Sequence, residues 1–441
     1  MSFTSPIQKL AQEFAYADIA TQAANLQNEQ NELNAESNGL DSLSSALTDF
    51  QSAIDALNSD TDGPLTFSAT SSNDSNTISA NSEAQAGTYS FYVSALAQAQ
   101  QTTFSMSDDQ YSASGTFTLS MDDGTTMDID LAAADEDGDS FIDASELVDA
   151  INDSDDNPGV SAALVKTDGT TTIMLTSDTT GAQSGFSVSV TGNTDFATAE
   201  SSSEQLITNP QDAEIHLGSE TGPAITSSSN TFDDVIPGVT MTFSEVSDPD
   251  DPNDVTTFTV AEDSSGSQAK VQTFVDAYNT LIDTIDSLTS YGDDDTAAGV
   301  FAGDAGMNSL ANQMDDIAHA SYGGVSIVDY GITLDSDGHL QIDSTQFSEE
   351  MEENPDGLTS IFVGEDSMVA QMDDLMDSYL DSSNGIIAMR QENIDDQQSK
   401  IQDESDQLTE TYNTNYERYV EEYTNTLVEV YTMKVSMAAF M

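Results

Sequence analysis

Asp135, Asp137, Asp139, Asp143 and Glu146 come nearest, by type and spacing, to a ligand set in this chain. They fall at positions 1, 3, 5, 9 and 12 of the run Asp135–Glu146, and Ile142 supplies an apolar residue at position 8. In an EF-hand-like loop this spacing turns carboxylate oxygens inward onto Ca²⁺, with the last Glu binding through both oxygens. The run departs at position 6, where Ser140 replaces the turn glycine, and Leu131 ends a predicted strand where a helix would precede the loop. The same residues also describe an acidic turn capping a helix that starts near Asp143–Ser145, where negative charge suits a helix N-terminus. Calcium is the one cofactor the sequence suggests.

Other chemistry is sparse. His216, His319 and His339 are the only histidines, and their spacing suits neither a zinc site nor a nucleophilic triad. There is no GxSxG, GxGxxG or Walker loop. With 80 Asp plus Glu, proximity of two carboxylates carries no catalytic information. The chain reads as a non-enzyme. The absence of Cys excludes disulfides and thiolate chemistry.

The elements that must carry any site are dominated by two terminal heptad runs. Ile19, Leu26, Leu33, Leu40, Leu47 and Ile54 stand seven apart, and Leu43, Phe50 and Leu57 fill the second apolar position of the later heptads. At the other end Ile387, Ile394, Ile401 and Leu408 are again seven apart, and the pattern runs on through Tyr412, Tyr416, Tyr419, Tyr423, Leu427, Val430, Met437 and Met441. Such stripes need a partner helix to be buried. The two ends are therefore expected to pair as an antiparallel coiled coil, with a break or bend at Asn38–Gly39.

Seven Lys plus Arg give a net charge of −73, which excludes nucleic acid and anionic membrane surfaces as partners. So acidic a surface repels itself unless salt screens it, and suggests a salty, halophilic-type working medium. No apolar run is long enough for membrane insertion. No cleaved secretory signal is visible at the N-terminus, so export, if it occurs, is expected to use a route without one.

From residue 64 the period changes to two. Tyr89–Val93, Phe117–Met121 and Met127–Leu131 alternate as strands, and further strands are predicted around an Asp168–Gly169 turn, at 186–190, and at 213–217, 239–246 and 255–261. A Ser- and Glu-rich linker is expected at 197–212. Helix returns at 267–290, where Val271, Phe274, Val275, Tyr278, Leu281, Ile282, Ile285 and Leu288 form a broad apolar face suited to a globular bundle. The fold class is α+β multidomain: a terminal antiparallel coiled-coil stalk and a helical bundle domain, with inserted all-β or β-rich domains. The expected boundaries are 1–40 with 405–441 for the leg and 41–63 with 264–404 for the bundle. The outer β domain is placed at 64–108 with 213–263, and an inserted one at 109–212.

An ordered set of segments resembles the flagellar hook-associated protein 2 family of bacterial filament-capping proteins. Gly87–Gln100 resembles its first β motif; Ile151–Ala162 with Leu175–Gly181 resembles a small repeat shared with flagellins; Ser228–Val239 resembles the return strand. Phe274–Asn279, Gly303–Asp304, Asp329–Ile332, Gly338–Asp343 and Asn354–Phe362 resemble the C-terminal half. Met1–Ala20 differs from the Gly-rich start usual in the family. The resemblance implies a secreted cap at the flagellum tip, a homo-oligomeric ring commonly of five subunits, in which exported flagellin folds and inserts. It implies as partners the protein itself, flagellin, the flagellar export apparatus and its chaperone, and hook-filament junction proteins. Two alternatives are another axial flagellar protein (a junction protein or flagellin) and an acidic calcium-dependent extracellular adhesin on a coiled-coil stalk, acting in cell adhesion.

Overall fold

The computed structural model describes residues 4–59, 62–106, 111–167, 170–292 and 296–439. It separates into two compact units: residues up to Leu65 together with Ser264 onward, and Thr66–Asp263 between them. The Asp168–Gly169 turn and Met441, both invoked from the sequence, lie outside the described residues.

The first unit is framed by two long helices, Thr4–Asp55 and Ile386–Ala439. They run antiparallel, as cross-helix pairs show: Ser37 with Gln391, Asn34 with Gln398 and Asp18 with Tyr419. From Leu40 to Ile54 the stripe of the N-terminal helix is buried in the bundle, with Leu40, Leu43, Leu47, Phe50 and Ile54 essentially inaccessible. The break expected at Asn38–Gly39 does not occur; the helix continues straight through both residues. The glycine serves packing instead. A Cβ on Gly39 would stand 2.7 Å from Val300 Cγ2 and 3.0 Å from the Phe301 ring. The segment Val300–Phe301 thus presses against the bare helix backbone, and close approach replaces helix termination as the reason for the residue.

The bundle is completed by helices Ser264–Thr289, Ala305–His319, Ser344–Glu353, Pro355–Phe362 and Met368–Leu380. The broad face read from the sequence is its core: Val271, Phe274, Val275, Tyr278 and Leu281 are all buried. Phe274 meets Phe50, Tyr278 and Phe362 at centroid distances of 5.8, 6.2 and 5.4 Å. Rings so arranged contribute beyond their buried area. Side chains at the helix starts accept the free amides: Asp304 from Gly306 and Met307, Asp343 from Thr345 and Gln346, Ser367 from Ala370. A hairpin, Ile332–Leu334 with Leu340–Ile342, closes over the helix Ser264–Thr289, with Asn279 bonded to both polar groups of Leu340. Ahead of it Ser326–Gly331 is coiled into turns held by Asp329.

The second unit holds two cores. One lies between a five-stranded antiparallel sheet, in the order Phe67–Ser71, Thr256–Glu262, Gly87–Ala95, Ala213–Leu217, Ala224–Ser227, and a three-stranded sheet of Thr231–Ile236, Val239–Thr242 and Thr77–Ala80. Phe91, Phe232, Phe243 and Phe258 fill it. The other is built by a four-stranded sheet, Gln205–Thr208, Gln101–Ser105, Thr170–Ser177 and Val160–Thr167, and a three-stranded one, Phe186–Thr191, Thr116–Met121 and Thr126–Asp130. Phe104, Phe117, Leu119, Leu147 and Phe196 lie at its centre.

Two readings of this region are corrected. Gln101–Ser105, assigned from the sequence to the outer β domain that ended at 108, pairs with Thr172–Thr176 and Gln205–Thr208 and buries Phe104 in the inserted core. The stretch 197–212 is no linker. Asn193 caps a helix, Thr194–Ser203, whose Phe196 is fully buried, and Gln205–Thr208 is an edge strand. Its Ser-rich composition hides an element whose one apolar anchor decides its fate.

Candidate functional site

Beyond the bundle the two long helices have only each other to pack on. Ala11, Ala15, Ile19 and Leu33 are buried on the N-terminal helix, while Leu26 is half-buried and lines one groove with Leu408. Opposite them Ile394 is buried, and Ile387, Ile401 and Leu408 are half-buried. Leu40 and Ile394 line a common groove at the root. The heptad residues of both ends thus sit on facing sides, as their spacing requires. Toward the tip the seam changes character, with buried Ala11 and Ala15 on one helix and a tyrosine ladder on the other. Phe14 lies 5.8 and 5.9 Å from Tyr419 and Tyr423, and Tyr412–Tyr416 and Tyr419–Tyr423 stack. Ala15 continues the heptad at its second apolar position, four before Ile19 as Leu43 is before Leu47, and Ala11 lies one turn beyond it; their small size hid them in the sequence.

The tip also leaves large apolar side chains without cover in the single chain. Leu10, Phe14 and Tyr16 on one helix, and Leu427, Val428, Val430, Tyr431, Met433, Val435 and Met437 on the other, are 40–70% exposed. Monomeric surfaces rarely present so much contiguous apolar side chain, and such patches mark contact with another protein.

At the root the pair is fastened to the bundle. Arg390 donates two hydrogen bonds to Asp304, Nη1 to Oδ2 at 2.8 Å and Nη2 to Oδ1 at 2.9 Å. Asp304 also caps the helix Ala305–His319. The guanidinium holds the Asp304 carboxyl below the usual carboxylate range. Gly39 and Arg390 thus grip the 300–304 segment from both leg helices.

The acidic loop was the other candidate. Oxygens of Asp135, Asp137 and Asp139 come within 4.8 Å of one another. Ser140 sits there at φ 73°, the left-handed conformation that the missing turn glycine would adopt, and is the one non-glycine residue with positive φ among the described residues. A short helix, Leu131–Ala134, precedes the loop where the sequence suggested only a strand end. Asp143 and Glu146 do not join the three carboxylates. They form a capping box: Asp143 accepts from the Ser145 and Glu146 amides, and Glu146 accepts from the Asp143 amide at 3.0 Å. Glu146 also accepts from the amides of Glu136 and Asp137. Burial opposes ionisation of Asp143, but the bonds from Glu146 and Ser145 outweigh it and lower its pKa. Of the histidines, His216 pairs with Glu214, His319 with Asp315 and His339 with Asp283.

Known proteins share this architecture. The N-terminal model of flagellar hook-associated protein 2 matches residues 5–100, and the C-terminal model matches residues 210–432. The first match begins at residue 5, so it takes in most of the segment Met1–Ala20 that its composition set apart. The lateral flagellar hook-associated protein 2 of Vibrio parahaemolyticus is 34% identical over 82% of this chain and 82% of its own length. The B-type flagellar hook-associated protein 2 of Pseudomonas aeruginosa is 30% identical over 77% of this chain and 75% of its own. The crystal structure of the flagellar cap protein FliD D1-D2-D3 domains from Escherichia coli superposes with a TM-score of 0.68 at 26% identity, covering 81% of this chain and 99% of that one. With the two-ended helical frame, the inserted β cores and these matches together, the chain belongs to the flagellar hook-associated protein 2 family.

Proposed function

We infer that this chain is a structural cap at the distal end of a bacterial flagellar filament, and that it works as a ring of several copies around which exported flagellin folds and inserts. The observation that carries this reading is the uncovered apolar tip of the leg, in a chain belonging to the family whose solved relatives are flagellar cap proteins. A β-rich unit and a bundle, each with its own buried core, provide the body; a leg with half its seam exposed provides an assembly surface. Its partners in this reading are other copies of itself, flagellin, the hook-filament junction proteins during assembly, and the export apparatus with a chaperone. Its place is extracellular, reached through the flagellar export channel.

The test separates body from leg. A chain lacking residues 1–36 and 410–441 keeps the buried stripe from Leu40 to Ile54 and should fold, yet fail to restore filaments to a cap-deficient strain that the full chain rescues. Rescue by the truncated chain would overturn the assignment of assembly to the leg. Normal filaments with lost attachment in the deletion strain would favour adhesion instead.

A second reading, favoured by the convergence of Asp135, Asp137 and Asp139, is weak Ca²⁺ binding by the loop Asp135–Glu146, in the roughly millimolar range of extracellular modules. Glu146 would have to release its backbone donors to join. Calorimetry on the full chain should show heat that Asp137→Ala and Glu146→Ala abolish. Equal heats in all three chains would leave only the helix-capping role.

A further inference from the structure

Among the described residues Glu200 is the one buried acid. It is 4% exposed in the helix Thr194–Ser203, and its Oε1 has no hydrogen-bond partner among the described residues. The helix packs on strands Gln101–Ser105 and Phe186–Thr191, and neither carries an ionisable residue. Tyr111 reaches the helix at Phe196, with ring centroids 5.2 Å apart. On the helix itself Asp195 lies in the first turn, and Glu204 is the C-cap. No cation faces the carboxyl from any of these. Lys166 is the one Lys or Arg between residues 101 and 212, and it sits on Val160–Thr167 at the opposite edge of the four-stranded sheet. An unpaired buried carboxylate is among the least tolerable groups in a protein interior.

The helix runs directly into the edge strand Gln205–Thr208, which pairs with Gln101–Ser105 through an irregular register between Leu206 and Thr208. One hydroxyl ties the helix end to that sheet: Ser203 Oγ accepts from the Ser105 amide at 2.9 Å. Leu206 and Ile207 are 53% and 56% exposed, so the strand gains little from burial. The edge strand is thus loosely held, whereas the helix before it is anchored by Phe196 and carries one buried acid.

We propose that Glu200 is a proton-operated latch: neutral, it lets the helix Thr194–Ser203 dock on the inserted β core, and ionised, it favours release of that helix together with the strand Gln205–Thr208. Desolvation first, and the Glu204 charge second, push the Glu200 pKa from 4.5 to about 7. The sign follows from linkage. A carboxyl whose docked pKa is raised stabilises docking below the free value, 4.5, and loses that contribution as pH rises to about 7, after which the balance is level.

Hydrogen exchange on the full chain tests the latch. After correction for intrinsic exchange, protection of the amides from Phe196 to Leu206 should fall by up to about tenfold per pH unit through that window and then level off. Glu200→Gln should stay protected throughout, while Glu204→Gln, lacking the repulsion, should level off at lower pH. Protection that is independent of pH in the unaltered chain, or that follows the same curve in Glu200→Gln, would overturn the proposal. If Glu200→Gln does not fold, an unshifted curve in Glu204→Gln overturns it equally.

Discussion

Gly39 illustrates how one residue type can carry two opposite meanings. Beside Asn38 it looks like a helix stop, yet it lies inside a 52-residue helix. In an open helix Ala would be preferred over Gly by roughly 0.5–1 kcal/mol. Here the added methyl must displace Val300 and the buried Phe301 ring, and overpacking typically costs about 1–3 kcal/mol. Gly39→Ala should therefore lower the bundle's stability by about 1–2 kcal/mol in denaturant titration. A gain of stability would show that the 300–304 segment moves away freely, and that the grip at the leg root is loose. Arg390 completes that grip with a bidentate bond, the strong form of the carboxylate pair. Both groups are less than a third exposed, so salt screens them less than the many surface acids.

At the scale of elements, length decides the division of labour. The bundle helix Ser264–Thr289 has 26 residues, about 39 Å, whereas the terminal helices of 52 and 54 residues reach about 80 Å each. Roughly half of each terminal helix must therefore stand beyond the bundle with one partner only. Full burial of a Leu contributes about 1.5–3 kcal/mol. In the bundle that contribution is complete, as at Leu43 and Leu47, but in the leg Leu26 and Leu408 realise only part of it. The truncated chain described above should accordingly melt cooperatively within a few degrees of the full chain's main transition, and a large loss would mean that the leg supports the bundle. In the free protein the leg tip should exchange its amides much faster than Leu40–Ile54, because its stripe awaits another surface.

For the whole molecule the governing quantity is charge. Each copy carries −73, so bringing copies together meets repulsion that only salt or apolar contact can offset. The Debye length falls from about 30 Å at 0.01 M salt to about 3 Å at 1 M. Self-assembly measured by light scattering should therefore be weak at low salt and grow toward 1 M, in keeping with a saline working medium. A strict monomer at high salt and high protein concentration would contradict a ring held by the leg tips. Among the described residues no helix is long and apolar enough to cross a membrane.

What the sequence determined by itself was whatever repeats with a period. The seven-residue spacing from Ile19 to Ile54 and from Ile387 to Leu408 specifies a pair of long helices, and the broad face from Val271 to Leu288 specifies a bundle, because burial rewards a whole stripe at once. The alternations at Tyr89–Val93 and Phe117–Met121 specified strands for the same reason, and acids at every second position marked Asp135–Asp139 as a cluster. Tertiary structure alone decided the features that hang on a single contact between segments distant in sequence. Gly39 is helical because Val300 and Phe301 arrive from another part of the chain. Gln101–Ser105 joins the inserted core because Thr172–Thr176 is there to pair with it. Thr194–Ser203 is a helix and not a linker because Phe196 finds a pocket, and Glu200 is buried because it rides on the same face as that anchor. Spacing had left Glu146 open to either a helix cap or the carboxylate cluster, and the fold turned it to the amides of Glu136, Asp137 and Asp143.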